Sequence, residues 1–271
     1  MKHTINKNKY TYNSKNKTRK NKNNGRSKKG GEVIASGGFG CVFKPALKCN
    51  GSDKRYDGIS KLSITKYSDK EFTEIENIKK KLQTVKHFEK YYLLQGEQCR
   101  PGILTNNDLV NFNTKCNALD RYNIDSKNVN AHLDKLSIIN MPDGGIDLKD
   151  WMFNNKLSND RIVHLNKMII KLIKYGIKPM NKHGVIHNDL KSRNVLVDKH
   201  NNLKIIDWGL ASIVKNKNEI PHEIMNRPVQ FNTPFSSMVF SSEFIKHYEH
   251  YLQKSKHNNI DIHYFNIRNF V

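Results

Sequence analysis

The sequence predicts an α+β chain of two lobes, strand-rich first and helical second, on three observations. Short alternating runs flank a glycine cluster between Glu32 and Phe43 and recur at Gly58 to Ile64. The apolar run from Leu136 to Met141 is stopped by Pro142, Gly144 and Gly145, which cannot continue a strand. Beyond Ser158 the apolar spacing becomes that of an amphipathic helix.

Residues 1–30 stand apart from both lobes. They hold eleven Lys or Arg and no Asp or Glu, half of the chain's formal charge of +22. A segment of Lys, Asn, Ser, Thr and Gly buries too little apolar surface to offset its ordering entropy, so a disordered basic arm is expected. Such charge attracts phosphates, acidic headgroups or acidic proteins. Codon bias towards Asn, Lys and Ile explains it equally well, so nucleic-acid contact through the arm is left open and no nucleic-acid function is assigned.

The remainder divides at residue 141, with the strand-rich lobe at 31–141 and a linker plus helical lobe at 142–271. At 37% apolar composition the chain can bury a core. No run reaches the roughly 20 apolar residues that span a bilayer, and the charged N-terminus lacks a signal peptide's apolar centre, so no membrane partner is expected. Cys41, Cys49, Cys99 and Cys116 lack CxxC spacing with nearby histidines. They read as reduced thiols of an intracellular, cytosol-like compartment.

Taken in order, Glu32 to Ala35 and Cys41 to Phe43 are two strands joined by a Gly-rich turn, and Gly58 to Ile64 is a third. From Asp69 to Leu82, Phe72, Ile75, Ile78 and Leu82 recur at helical spacing, with acids early and lysines late as a helix dipole prefers. Residues 91–130 give no period and read as loops and short strands. Ser158 and Asn159 offer caps to a helix carrying Ile162, Leu165, Met168, Ile169, Leu172 and Ile173.

Two stretches carry chemistry. The more specific is Val185-Ile186-His187-Asn188-Asp189-Leu190-Lys191-Ser192-Arg193-Asn194, followed by Leu203-Lys204-Ile205-Ile206-Asp207-Trp208-Gly209. It resembles the catalytic loop and metal-binding triplet of protein kinases. The other, Ile34-Ala35-Ser36-Gly37-Gly38-Phe39-Gly40-Cys41-Val42, resembles the kinase Gly-rich loop, with Ala35 in place of its first glycine. The resemblance runs from about Val33 to Gly209 and implies the bilobal protein-kinase-like fold. Its style is similar to kinases encoded by large DNA viruses.

The resemblance implies ATP and magnesium (Mg2+) as cofactors and a protein Ser or Thr hydroxyl as acceptor. Phosphoryl transfer asks mainly for an oriented hydroxyl and neutralised phosphate charge. Asp189 would orient the hydroxyl and Lys191 would place positive charge beside the γ-phosphate; Lys191 is the Ser/Thr-class residue. Asn194 and Asp207 supply hard oxygen ligands for magnesium. Ala35, Ser36, Gly37, Gly38, Phe39 and Gly40 would fold over the phosphates, and Val42 would pack on adenine. Lys61 would hold the α- and β-phosphates and pair with a helix glutamate, for which Glu74 is chosen, with Glu71 and Glu76 as alternatives. Met141 and Asp143 fall in the hinge against adenine, and Asp147 within reach of the ribose.

Departures from the pattern shape the expectation. His187 is assigned a structural role. Asn188 replaces the family's usual Arg, which argues against control by loop phosphorylation. Asn226 to Ser237 would belong to the activation and substrate segment, without an Ala-Pro-Glu triplet. Only 62 residues follow Gly209, so the second lobe reads as shortened. Competing readings are a pseudokinase or binding module and a small-molecule kinase of the aminoglycoside or choline phosphotransferase type.

Overall fold

The computed structural model describes residues 31–155, 158–216, 218–226 and 238–255. The expected basic arm, and all of the expected substrate segment except Asn226, lie outside the described residues.

The first lobe is a five-stranded antiparallel sheet. Its strands are β1 (Glu32–Ser36), β2 (Gly40–Lys44), β3 (Ile59–Ile64), β4 (Glu97–Cys99) and β5 (Leu136–Met141), in spatial order β1-β2-β3-β5-β4. The Gly37 amide donates to the Gly40 carbonyl at 2.8 Å and closes the β1–β2 turn. A Cβ on Gly40 would lie 2.7 Å from the Leu62 carbonyl oxygen, so the approach of β2 to β3 requires glycine there.

Helix α1 (Thr65–Leu82) leaves β3 directly and begins one turn earlier than its apolar period suggested. Its first turn has no acidic residue, while Lys79, Lys80 and Lys81 occupy the last turn, so only the C-terminal half of the expected charge bias is realised. The next elements are short: α2 (Phe88–Tyr91), then α3 (Phe112–Lys115), with single 3-10 turns at Asp120–Tyr122, Val129–Ala131 and Leu133–Lys135. Segments of three or four residues complete no period, which is why residues 91–130 carry no readable pattern. They are nonetheless structural. Leu104, Phe112, Leu119, Ile124 and Val129 join Val33, Phe43, Leu62, Leu136 and Ile138 in one buried cluster.

The chain passes to the second lobe through Pro142 to Gly145. Gly145 has φ +103°, and a Cβ there would sit 2.0 Å from the Val197 carbonyl oxygen. Strand β6 (Ile146–Asp147) then pairs with β8 (Val195–Val197), which pairs with β9 (Leu203–Ile205). A second small sheet joins β7 (Val185–Ile186) to β10 (Ser212–Ile213). Between them run α4 (Leu148–Asn154), α5 (Asn159–Leu172) and α6 (Lys178–Lys182), and α7 (His222–Met225) and α8 (Ser242–Ser255) follow β10.

Ser158 caps α5 as expected, its hydroxyl accepting from the Arg161 amide at 3.4 Å. Leu165, Met168 and Leu172 are buried, whereas Ile162 and Ile173 are exposed. A π-helical turn at Ile173–Ile177 precedes Pro179, which has no N–H to continue the ladder. Inside that turn the Gly176 carbonyl accepts the Tyr92 hydroxyl at 2.7 Å. Helix α1 ties the lobes together, since Ile78 and Leu82 enter the second core with Tyr91, Tyr92, Leu165, Leu172, Ile205 and Trp208.

The cysteines differ from expectation. They form two disulfides, Cys41–Cys116 and Cys49–Cys99, with Cα atoms 5.2 and 5.7 Å apart. Antiparallel pairing and the fold of residues 99–135 bring partners together that are 75 and 50 residues apart in sequence. The reduced-thiol argument for a cytosol-like compartment therefore loses its premise. Among the described residues no helix is long and apolar enough to cross a membrane.

Closing a loop of this length restricts the unfolded chain, so Cys41→Ser with Cys116→Ser is expected to lower the unfolding free energy by about 2–4 kcal/mol. Urea titration of wild type and the double variant checks this; equal midpoints would mean that the bond contributes nothing.

Candidate active site

The loop between β7 and β8 is organised around one carboxylate. Asp189 is buried, and its Oδ2 accepts from Lys191 Nζ at 2.7 Å and from Asn194 Nδ2 at 2.9 Å. Asn194 Nδ2 also donates to the Asp189 carbonyl at 2.9 Å. Both donors converge on Oδ2, so Oδ1 has no hydrogen-bond partner among the described residues. The 3-10 turn Ser192–Asn194 brings Asn194 back over Asp189 and spends its amide nitrogen, leaving its Oδ1 as an acceptor.

Asp207 reaches this centre through its neighbour. The Ile206 amide donates to the Asn194 carbonyl at 3.0 Å, and the Ile206 carbonyl accepts from His187 Nε2 at 2.9 Å. Asp207 itself has φ +64°, a left-handed conformation uncommon outside glycine, and its exposed carboxylate makes no hydrogen bond among the described residues. Among the described residues, Asn194 Oδ1 and the Asp207 carboxylate are thus left without hydrogen-bond donors, and hard oxygens of this kind suit magnesium.

His187 is buried, with Nδ1 accepting from the Asp189 amide at 3.3 Å. That bond assigns the proton to Nε2, which donates to Ile206. Burial holds the imidazole below the usual histidine range, against the opposing pull of the Ile206 carbonyl, Asp207 and Asp189. Trp208 packs edge-on against it, ring centres 4.9 Å apart. Asn188, at φ +60°, donates to the Leu210 carbonyl at 3.1 Å and to Ser212 Oγ at 2.8 Å, holding the segment after Asp207 to the loop.

In the first lobe the register places Ala35, Val42, Lys61 and Ile139 opposite one another across β1, β2, β3 and β5. Paired residues share a face of a sheet, so Val42 and Lys61 lie side by side. Lys61 Nζ is 2.6 Å from both Glu71 carboxylate oxygens. The choice of Glu74 is therefore corrected to Glu71. Glu71 falls on the stripe Ser68, Glu71, Ile75, Ile78, Leu82, spaced three and four apart, which is the inward face of α1. Glu74 lies off it, 3.9 Å from Lys70, and burial raises its carboxyl above the usual range. Glu76 pairs with Lys79 at 3.0 Å.

The hinge residues have partners of their own. Asp143 pairs with Lys44 of β2 and accepts from the Gly145 amide at 3.0 Å. Burial works to raise its carboxyl, but Lys44 and Gly145 outweigh it and hold it low. Asp147 caps α4, accepting from the Asp150 amide at 2.9 Å, and faces Arg193 at 3.7 Å. Met141 ends β5 half-buried. In the Gly-rich turn Ser36 Oγ accepts from the Ala118 amide at 3.1 Å, and Phe39 stacks on Tyr67 of α1 with ring centres 5.0 Å apart.

Residues 124–257, which contain the whole Asp189 loop, match the family described as the protein kinase domain. The fold is a bilobal, kinase-like α+β fold. The matched stretch begins after the Gly-rich turn and Lys61, so those parts of the kinase-like arrangement rest on geometry. The chain is 36% identical over 73 residues to the serine/threonine-protein kinase PSK2 of Saccharomyces cerevisiae, covering 27% of this chain and 6% of that protein. It is 44% identical over 71 residues to mitogen-activated protein kinase 12 of Mus musculus, covering 26% and 18%. It is 35% identical over 75 residues to the carbon catabolite-derepressing protein kinase of Candida glabrata, covering 27% and 12%. The chain therefore spans less than a fifth of the length of each of these relatives.

Because His187 is held neutral, the unfolded chain takes up a proton that the folded chain refuses just below the ordinary histidine value of about 6.5. Its contribution to stability is whole above that value and is lost as pH falls through the lowered folded pKa. His187→Gln should flatten the fall in unfolding free energy between pH 7.5 and 5, measured by denaturant titration; a slope equal to wild type would refute the assignment.

Proposed function

We propose that the chain is a serine/threonine protein kinase that moves the γ-phosphoryl group of ATP to a protein hydroxyl. The observation that carries this reading is Asp189 Oδ1, which has no hydrogen-bond partner among the described residues and is fixed on a carboxylate whose other oxygen is held by Lys191 and Asn194. An acceptor Ser or Thr hydroxyl bonds to that oxygen and is thereby oriented for in-line attack. The hydroxyl oxygen forms a bond to the γ-phosphorus while the bond from that phosphorus to the β–γ bridging oxygen breaks, releasing ADP. The hydroxyl proton passes to Asp189. Lys191, half-exposed beside Asp189, stabilises the charge that develops on the transferred group.

Asn194 Oδ1 and Asp207 would hold magnesium, which when bound neutralises the phosphate oxygens. Lys61, fixed by Glu71, addresses the α- and β-phosphates. Val42, on the same sheet face, packs on adenine, with Met141 and Asp143 at the hinge. A Cβ on Gly38 would meet no atom within 4 Å, so packing within the described residues leaves the tip of the turn open. Asp147 is already shared between its helix cap and Arg193, which leaves ribose contact to its remaining acceptor capacity. The style of the motifs is that of kinases encoded by large DNA viruses, and the Asn- and Lys-rich composition fits such an origin.

Purified protein with magnesium, γ-labelled ATP and a generic basic protein should label Ser or Thr, and Asp189→Asn or Asp207→Ala should lower the rate by about 100-fold or more. ATP binding without transfer in the wild type would favour the binding-module reading, and label on a small amine or alcohol instead would favour the small-molecule kinase.

Glu71→Gln should slow transfer at least about 10-fold by releasing Lys61, while Glu74→Gln stays within about 2-fold of wild type. Equal effects from the two changes would break the assignment of the Lys61 partner.

A further inference from the structure

The Gly-rich turn is held from outside the sheet by a segment that the matched family stretch does not include. Cys116 is bonded to Cys41, the first residue after Gly40. Two residues on, the Ala118 amide donates to Ser36 Oγ at 3.1 Å. Leu119 is fully buried and anchors the segment in the core of the first lobe. The 3-10 turn Asp120–Tyr122 then projects Arg121 back over the tip. Arg121 Nη2 donates to the Gly38 carbonyl, its Nε donates to the Ala118 carbonyl at 3.3 Å, and its guanidinium carbon lies 5.2 Å from the Phe39 ring centre and 5.4 Å from that of Tyr122. Phe39 in turn stacks on Tyr67, at the start of the helix that carries Glu71.

From these contacts we infer that Cys116–Tyr122 is a clamp on the Gly-rich turn and that Arg121 is a positioning residue for the phosphates of the nucleotide. Both ends of the turn and its tip are gripped: Ser36 before it, Cys41 after it, and Gly38 and Phe39 at its apex. A β-turn of Ser, Gly and Gly has wide conformational freedom, and an arched shape must be selected before each phosphate can be met by backbone amides. A guanidinium suits this task because it makes a directed, charge-assisted bond and stacks on an aromatic face at once, which an ammonium cannot do in the same geometry. The Phe39–Tyr67 stack links the tip to α1, so the turn and the Lys61–Glu71 pair are set by one connected group of side chains. Removing Arg121 frees the tip without removing any group that touches adenosine.

The inference rests on the nucleotide-binding reading for its phosphate role, but not for the clamp itself, and two measurements separate these. Hydrogen exchange at the amides of residues 36–41 should accelerate several-fold in Arg121→Ala with little change elsewhere or in the unfolding midpoint, and Arg121→Lys should recover part of the protection. By titration calorimetry the dissociation constant for magnesium-ATP should rise about 5-fold in Arg121→Ala while that for adenosine stays unchanged. Unaltered exchange at 36–41 would overturn the clamp. Accelerated exchange with ATP and adenosine weakened equally would overturn the phosphate-positioning role. Wild-type protein that binds neither ligand would remove the nucleotide reading, and the exchange result would then decide the clamp alone.

Discussion

Trp208 packs edge-to-face with both His187 and Tyr92, with ring centres 4.9 and 5.9 Å apart, and the loop bearing Asp189 is built on that contact. Tyr92 is fixed below by its bond to Gly176, in the π turn between α5 and α6. His187 is fixed above by Ile206 and by the Asp189 amide. A stack of three rings thus transmits the rigidity of the helical core to the carboxylate. Asp207, the neighbour of Trp208 in sequence, adopts a left-handed backbone conformation rather than that of extended strand. Packing of this kind fixes the polar groups of the loop in advance of any ligand.

The first lobe solves a different problem. Its sheet is too small to cover its own inner face, and residues 99–135, which hold almost no regular structure, provide the missing apolar side chains from Leu104, Phe112, Leu119 and Ile124. Two disulfides fasten this irregular segment to β2 and to the Lys48–Cys49 bridge region. Asp108 fastens it again: buried among polar partners, it accepts from the Gly31 amide and from Arg55 and Thr105. Burial would raise its carboxyl, and these partners reverse the direction. The segment that stabilises the lobe is also the one that grips the Gly-rich turn, so the two roles share the same anchors.

Local signals were legible where the physics is local. The 136–141 strand, the Ser158 cap and the Asp189-to-Asn194 spacing are written in consecutive residues, because a strand period, a cap and a tight loop each depend on neighbours a few positions apart. The glutamate partner of Lys61 was within reach of the same logic, since the stripe through Ser68, Ile75, Ile78 and Leu82 includes position 71 and excludes 74. Choosing Glu74 set the glutamate on a face adjoining that stripe, whereas Glu71 lies on the stripe itself.

By itself the sequence determined the two-lobe α+β plan, the carboxylate-centred loop and the lysine on the third strand, since each is encoded by short-range spacing. Tertiary structure alone decided which cysteines meet and that Arg121 reaches Gly38 across 83 residues. Contacts at such separations are set by how the irregular segment packs on the sheet. That packing follows from the burial of several apolar side chains together, and no single stretch of sequence reports it.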